Sequence, residues 1–190
     1  MREEFAQRLD VIPASALNGC LPVSVTAALP SNGVTVFRVD DDASDTAQFS
    51  ERYGFGLDDC ANTIVLRYRK GGDERHAALV CLGSRRLDVN GAVKARLGAQ
   101  RLSFAKRESA TELTGMAFGG ITAFGLPADW TVLVDSAVMA RERIVMGAGV
   151  RAAKLLLAPS LLAALPNVDI APIAVEIDAS ASKDADARAV

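Results

Sequence analysis

The chain has 190 residues, half of them hydrophobic, 23% charged and 5% aromatic, with a formal net charge of −2. That length suits a single domain with a sizeable core, and the composition is ordinary for a soluble protein. One histidine and three widely spaced cysteines, Cys20, Cys60 and Cys81, exclude a zinc site of soft or imidazole ligands, which needs about four. Buried, reduced thiols are expected instead.

The opening MREEFAQRLD puts acidic residues where a secretory segment needs a basic start and an apolar run. Its Phe5 and Leu9 spacing predicts a helix over Arg2 to Asp10. Pro22, Pro30 and Asn32-Gly33 then punctuate the chain before an alternating strand, Val34 to Asp40. An acidic loop at Asp40, Asp41 and Asp42 leads into a helix ending near Gly54. CANTIVLRYR and HAALVCLG read as two strands joined at Gly71-Gly72-Asp73, a hairpin. DVNGAVKARLG reads as a helix from an Asp88 cap to a Gly98 stop. RLSFA follows as a strand and SATELTG as a short helix. The stretch from Thr114 to Asp135 predicts two more strands, although Gly115, Gly119, Gly120 and Gly125 weaken them. RERIVMGAG predicts a strand, SLLAALPN a short helix and VDIAPIAVEI a last strand. Residues 179–190 lack a large apolar side chain before Val190 and read as a disordered tail. The run Leu155 to Pro166, broken by Pro159 and Ser160, is too short to span a bilayer. A cytoplasmic α+β domain with no membrane or DNA partner is the expectation.

Charge is unevenly spread. Residues 61–154 carry 15 basic and 8 acidic side chains, between acidic flanks, a pattern compatible with a phosphate-bearing partner or with a solvated surface. GAGVRA, Gly147 to Ala152, fits a dinucleotide fingerprint with Asp169 downstream. Too little chain follows for repeated βαβ units, and Pro159 interrupts the helix that the motif requires. His76 opens an apolar strand with no nucleophile elbow in the chain, so a surface histidine is expected rather than a triad base. The glycines between Thr114 and Asp135 suit either bulges and corners, or a ligand pressed against bare main chain.

TGMAFGGITAFGL, then VLVD, then IVMGAGVRAAKLLL, resemble the YbaK/prolyl-tRNA-synthetase-associated domain family. DVNGAVKARLGAQRLSFA and CANTIVLR extend the resemblance upstream, so that it covers roughly Val34 to Ile170, with the whole domain spanning residues 34–178 after a lead-in of 1–33. It implies a mixed, largely antiparallel, barrel-like sheet with surrounding helices. It further implies metal-independent, cofactor-free hydrolysis of mischarged aminoacyl-tRNA by a free-standing protein, with an aminoacyl-tRNA synthetase as a candidate partner. Gly119 and Gly120 would hold the water and ester, and Asn62 stands where the family typically has a catalytic-site lysine. Thr63, Thr114, Thr122, Phe124, Gly147 and Gly149 would line the substrate site, with Arg67, Arg151 and Lys154 candidates for tRNA phosphates. Lys154 or Arg151 could also supply the charge that Asn62 lacks. Two other readings stay open: a binding module of the same fold without turnover, and a nucleotide-binding protein using the Gly147–Gly149 loop.

Overall fold

Residues 9–40 and 45–177 are described by a computed structural model. Within them the strands are β1 (Asp10–Val11), β2 (Val34–Arg38), β3 (Cys60–Lys70), β4 (Asp73–Leu82), β5 (Arg85–Leu87) and β6 (Arg101–Phe104). They continue with β7 (Thr131–Asp135), β8 (Ile144–Gly147), β9 (Ala153–Leu157), β10 (Val168–Ala171) and β11 (Ala174–Glu176). Nine of them form one sheet in the order β1-β2-β9-β8-β3-β4-β7-β10, with β6 also pairing β3, while β5 and β11 form a ribbon. The β8–β3, β4–β7 and β7–β10 pairs are parallel and the others antiparallel, the mixed, largely antiparallel α+β sheet expected.

The β3–β4 hairpin turns on Gly71 and Gly72, both at positive φ (62° and 91°), the backbone that a two-residue hairpin turn demands. Along β4 the side chains alternate between two cores. Ala78 and Val80 join the main cluster with Val65, Val132 and Trp130, whereas Ala77 and Leu79 join a second cluster with Leu66, Leu133 and Leu97. A strand buried on both faces needs an unbroken apolar run, which AALVCL supplies. The second cluster is closed by the helical segment Val89–Leu97, begun where Asp88 accepts from the N–H groups of Gly91 and Ala92 and ended by Gly98 at φ 62°.

Several elements depart from the sequence expectation. Between Thr114 and Asp135 only β7 forms; Ile121 to Phe124 are buried in a loop whose glycines bend it against its neighbours. VDIAPIAVEI is split at Pro172, which cannot donate to a ladder, into β10 and β11 on different sheets. β9 and the short helices Leu17–Cys20 and Val23–Ala28 had no periodic signal. The predicted first helix lies mostly outside the described residues, and Asp10 instead opens β1; Asp41, Asp42 and the tail 179–190 also fall outside them. Asp135 ends β7 buried, accepting from the N–H groups of Ile173 (3.0 Å) and Ala174 (3.2 Å) and lying 3.2 Å from Arg85 Nε. It ties β7 to β5 and β11. Among the described residues no helix is long and apolar enough to cross a membrane.

Candidate active site

The outer edge of β3 is shared by two strands that do not meet. β8 pairs with it in parallel only at Cys60 and Ala61, and β6 pairs antiparallel only from Leu66 to Arg69. Between them the edge is open. The carbonyls of Val65 and Arg69 face this edge, accepting from Ala105 and Gln100, whereas that of Cys60 faces β4 and accepts from Gly83. Strand alternation therefore aims the N–H and C=O of Thr63 into the opening.

A cavity of about 380 Å³ fills the split. Asn62, Thr63, Ile64 and Val65 line it from β3, Phe104 and Ala105 from the far lip, and Val145, Met146, Gly147 and Lys154 from the β8–β9 hairpin. Asp45, Thr46 and Phe49 close one end from the helix Thr46–Tyr53, and Phe118, Gly119 and Ile121 close another from the glycine loop. Phe104, Phe118 and Gly119 are exposed at the mouth, so the cavity is an open cleft with a mostly apolar lining.

Those polar groups are mutually oriented. Thr46 Oγ1 donates to Asn62 Oδ1 at 2.6 Å, so the Asn62 amide nitrogen is left to offer its N–H groups elsewhere. Thr63 Oγ1 is buried with no hydrogen-bond partner among the described residues. Lys154, only 6% exposed, places its ammonium 5.6 Å over the Phe49 ring, which itself stacks with Tyr53 and Phe55. Burial pushes the Lys154 pKa down, with Cys60 and Asp45 opposing and Arg151 adding to the effect. The Cys60 thiol, in the same cavity, is pushed up to about 11 chiefly by burial, as is that of Cys81, so neither is a thiolate near neutral pH. Cys20 is half-buried.

Gly119 lines the cavity at φ 86°, and a Cβ there would lie 2.9 Å from Arg151 Nη1. The guanidinium of Arg151 thus lies beside Gly119 rather than on a distant surface. Gly120 is bare for another reason. A Cβ on it would sit 2.3 Å from the Val150 carbonyl oxygen, and one on Gly147 equally close to the carbonyl of Gly120. The Gly120 carbonyl is engaged by the Gly149 N–H at 2.7 Å, and the Gly149 carbonyl by the Ala117 N–H at 2.9 Å. Two loops are packed main chain to main chain, and this contact presents Gly119 to the cavity.

Asn62, Thr63, Gly119, Gly147 and Lys154 therefore come together, with Arg151 adjacent. Gly120, Gly149, Thr114, Thr122 and Phe124 do not line the cavity. Thr114 Oγ1 bonds the Ala110 carbonyl and accepts from the Met116 N–H, closing a helix end, while Thr122 and Phe124 are buried in the main core. Arg67 lies on an outer face, 3.5 Å from Glu74. The Gly147–Gly149 turn joins two antiparallel strands and opens no helix, and Asp169 is held by Arg96 through two hydrogen bonds. The dinucleotide geometry is absent there. Asp45, Thr46 and Phe49 are lining residues without a sequence signal, reaching the site by tertiary packing, while Phe104 and Phe118 stand within the quoted motifs without having been singled out by them.

The profile of the aminoacyl-tRNA editing domain family matches residues 40–165. Among solved structures, a candidate trans-editing enzyme for prolyl tRNA synthetase superposes with a TM-score of 0.67 at 21% identity, covering 84% of this chain and 95% of that one. The hypothetical protein APE2540 gives a TM-score of 0.66 at 21% identity, covering 74% and 90%. A candidate signal transduction protein from Marinobacter aquaeolei VT8 gives 0.54 at 20% identity, covering 82% of this chain and 31% of that one. At these identities the structures share the fold. No protein of curated function matches the chain in sequence.

Proposed function

We propose that this chain, which belongs to the aminoacyl-tRNA editing domain family, is a free-standing deacylase that hydrolyses the ester of mischarged tRNA. One observation carries the reading: a largely apolar cavity gathers the bare backbone of Gly119, the oriented amide of Asn62 and the buried ammonium of Lys154. The aminoacyl ester enters the β3 split with its carbonyl carbon over Gly119. A water held against the Gly119 main chain, and assisted by the vicinal ribose hydroxyl, adds to that carbon. The tetrahedral oxygen gains negative charge, and the donors within reach are the Asn62 amide and the Lys154 ammonium, the latter buried and so acting more strongly than it would in bulk water. Collapse breaks the bond between carbon and ribose oxygen; the proton lost by the water passes to that oxygen, freeing the amino acid and the tRNA 3′ hydroxyl.

Lys154 bears on the alternative of a binding module without turnover. That alternative rests on Asn62 standing in place of a lysine, yet a lysine from β9 lines the same cavity. The test is deacylation of a panel of mischarged tRNAs, including alanyl- and cysteinyl-tRNA specific for proline. Turnover of at least one member, with a large loss in Lys154→Met, is expected. No turnover of any member, with tRNA still bound, would replace the enzyme by the binding module.

A further inference from the structure

We infer that the exposed face of the β3–β6 ribbon, centred on Arg67, Arg69 and Arg101, is the track for the phosphates of the tRNA acceptor end. The inference rests on the editing reading and extends it from the cavity to the surface. Arg69 and Arg101 are direct cross-strand partners, as are Arg67 and Ser103, so all four side chains share one face. Like charges placed directly opposite each other destabilise a strand pair. Arg69 stands in the register between Arg101 on β6 and Glu74 on β4, Arg101 forms no ion pair among the described residues, and the Glu74 carboxylate lies 3.5 Å from Arg67. That contact is between exposed groups, with side chains about half accessible, and is worth little. One carboxylate thus faces three guanidiniums, and folding gains nothing from setting Arg101 against Arg69. The three arginines, Glu74 and Ser103 surround a shallow depression along the ribbon, a concave site whose net charge is positive and fits an anionic chain.

Position ties the patch to the cavity. Thr63, Val65, Arg67 and Arg69 are alternate residues of β3 and point to the same face. From Thr63, which lines the cavity, Arg67 and Arg69 are four and six residues on, about 13 Å and about 20 Å along the strand at ~3.3 Å per residue. A strand that ends in the reaction cavity at one end and in a cluster of guanidiniums in excess over carboxylates at the other suits a substrate whose ester is followed by a run of phosphates. Guanidinium pairs such oxygens with two parallel N–H donors.

The experiment compares wild type with Arg69→Ala/Arg101→Ala, using three readouts. Binding of uncharged tRNA by fluorescence anisotropy across a salt series is expected to weaken about tenfold in the variant. Its log–log salt slope should be shallower by roughly 1.4, for two single-strand phosphate contacts at about 0.7 each. Hydrolysis of a 3′-aminoacyl adenosine ester, which lacks the phosphates, should be unchanged. The melting temperature should be nearly unchanged, because relief of the Arg69–Arg101 repulsion offsets loss of the exposed Arg69–Glu74 attraction, so the loss of affinity is not misfolding. Equal tRNA affinity and equal salt slope in the two proteins would overturn the track, whatever the catalytic result. Failure of wild type to hydrolyse either ester would count against the deacylase and leave the binding comparison to decide the track.

Discussion

Gly119→Ala and Gly120→Ala are adjacent changes of one methyl group that should fail in different ways. At Gly119, φ of 86° puts any side chain in strained backbone, at a cost of roughly 1–2 kcal/mol. The new Cβ would meet only the end of Arg151, at 2.9 Å from Nη1, and a flexible guanidinium can withdraw. For a domain of this size about 1 kcal/mol lowers Tm by roughly 2–4 °C, so the variant should melt about 2–8 °C lower and remain folded at 25 °C. At Gly120 the Cβ would lie 2.3 Å from the Val150 carbonyl oxygen and 2.5 Å from its carbon, both main chain. The two loops must part, overpacking costs roughly 1–3 kcal/mol, and the 2.7 Å bond from the Gly149 N–H weakens by about another 1 kcal/mol. Gly120→Ala is therefore the more destabilising by thermal melt, although Gly119 is the residue with the disallowed φ. Single-turnover deacylation should show the opposite emphasis: Gly119→Ala loses about a hundredfold or more, the scale of losing a positioned polar contact at the reacting carbonyl. A Gly119→Ala protein with activity within a few-fold of wild type and the small melt shift above would refute the placement of the water.

Charge in the cavity can be tested by exchange. Asn62→Lys alone puts a second ammonium beside Lys154 and removes the Thr46 bond, so it should lower activity; Lys154→Asn alone should also lower it, and the double variant should recover to within about tenfold of wild type. Simple additivity of the two losses would show that the residues do not share a task. Because burial lowers the Lys154 pKa, an activity that needs the ammonium should decline as pH rises through a pKa below the usual 10.5, and Lys154→Met should abolish that limb of the profile. The stability sign is opposite to that of a paired lysine: the unfolded state binds the proton more tightly, so stability rises with pH up to about 10.5. Asp135→Asn should melt well below wild type, by about 2–4 kcal/mol from a carboxylate facing two N–H groups and Arg85, with kcat at 25 °C nearly unchanged. Thiol reagents under native conditions at pH 8 should label Cys20 first, since the other two are buried thiols raised to about 11; early labelling of Cys60 would contradict a closed cavity floor.

The elements legible in the sequence are those whose signals are local. The Gly71-Gly72 turn, the Asp88 cap and the stops at Gly54 and Gly98 each require one backbone conformation, and each stands where patterning put it. Illegible elements are those decided by neighbours distant in sequence. Ile121 to Phe124 have strand-forming side chains, yet they are buried in a loop because Gly120 and Gly147 press main chain on main chain. Thr122 and Phe124 are core residues within the same motif, and a polar or aromatic residue in a motif reads alike whether it faces a ligand or the core. β9 gives no alternation because both of its faces are buried, and its central apolar run matches that of a buried helix.

Lys154 belongs to that hidden strand, which is why its place in the cavity follows from topology and not from spacing. β9 pairs β8, and β8 meets β3 at Cys60 and Ala61, immediately before Asn62. A side chain on β9 thus reaches the same opening as one on β3, although 92 positions separate Asn62 from Lys154 in the chain. What a developing oxyanion responds to is the distance and direction of a donor, not the strand that carries it. A lysine on β9 and an amide on β3, fixed by Thr46, can then divide between them the work of a lysine on β3. The charge exchange between positions 62 and 154 asks whether the cavity distinguishes those two arrangements.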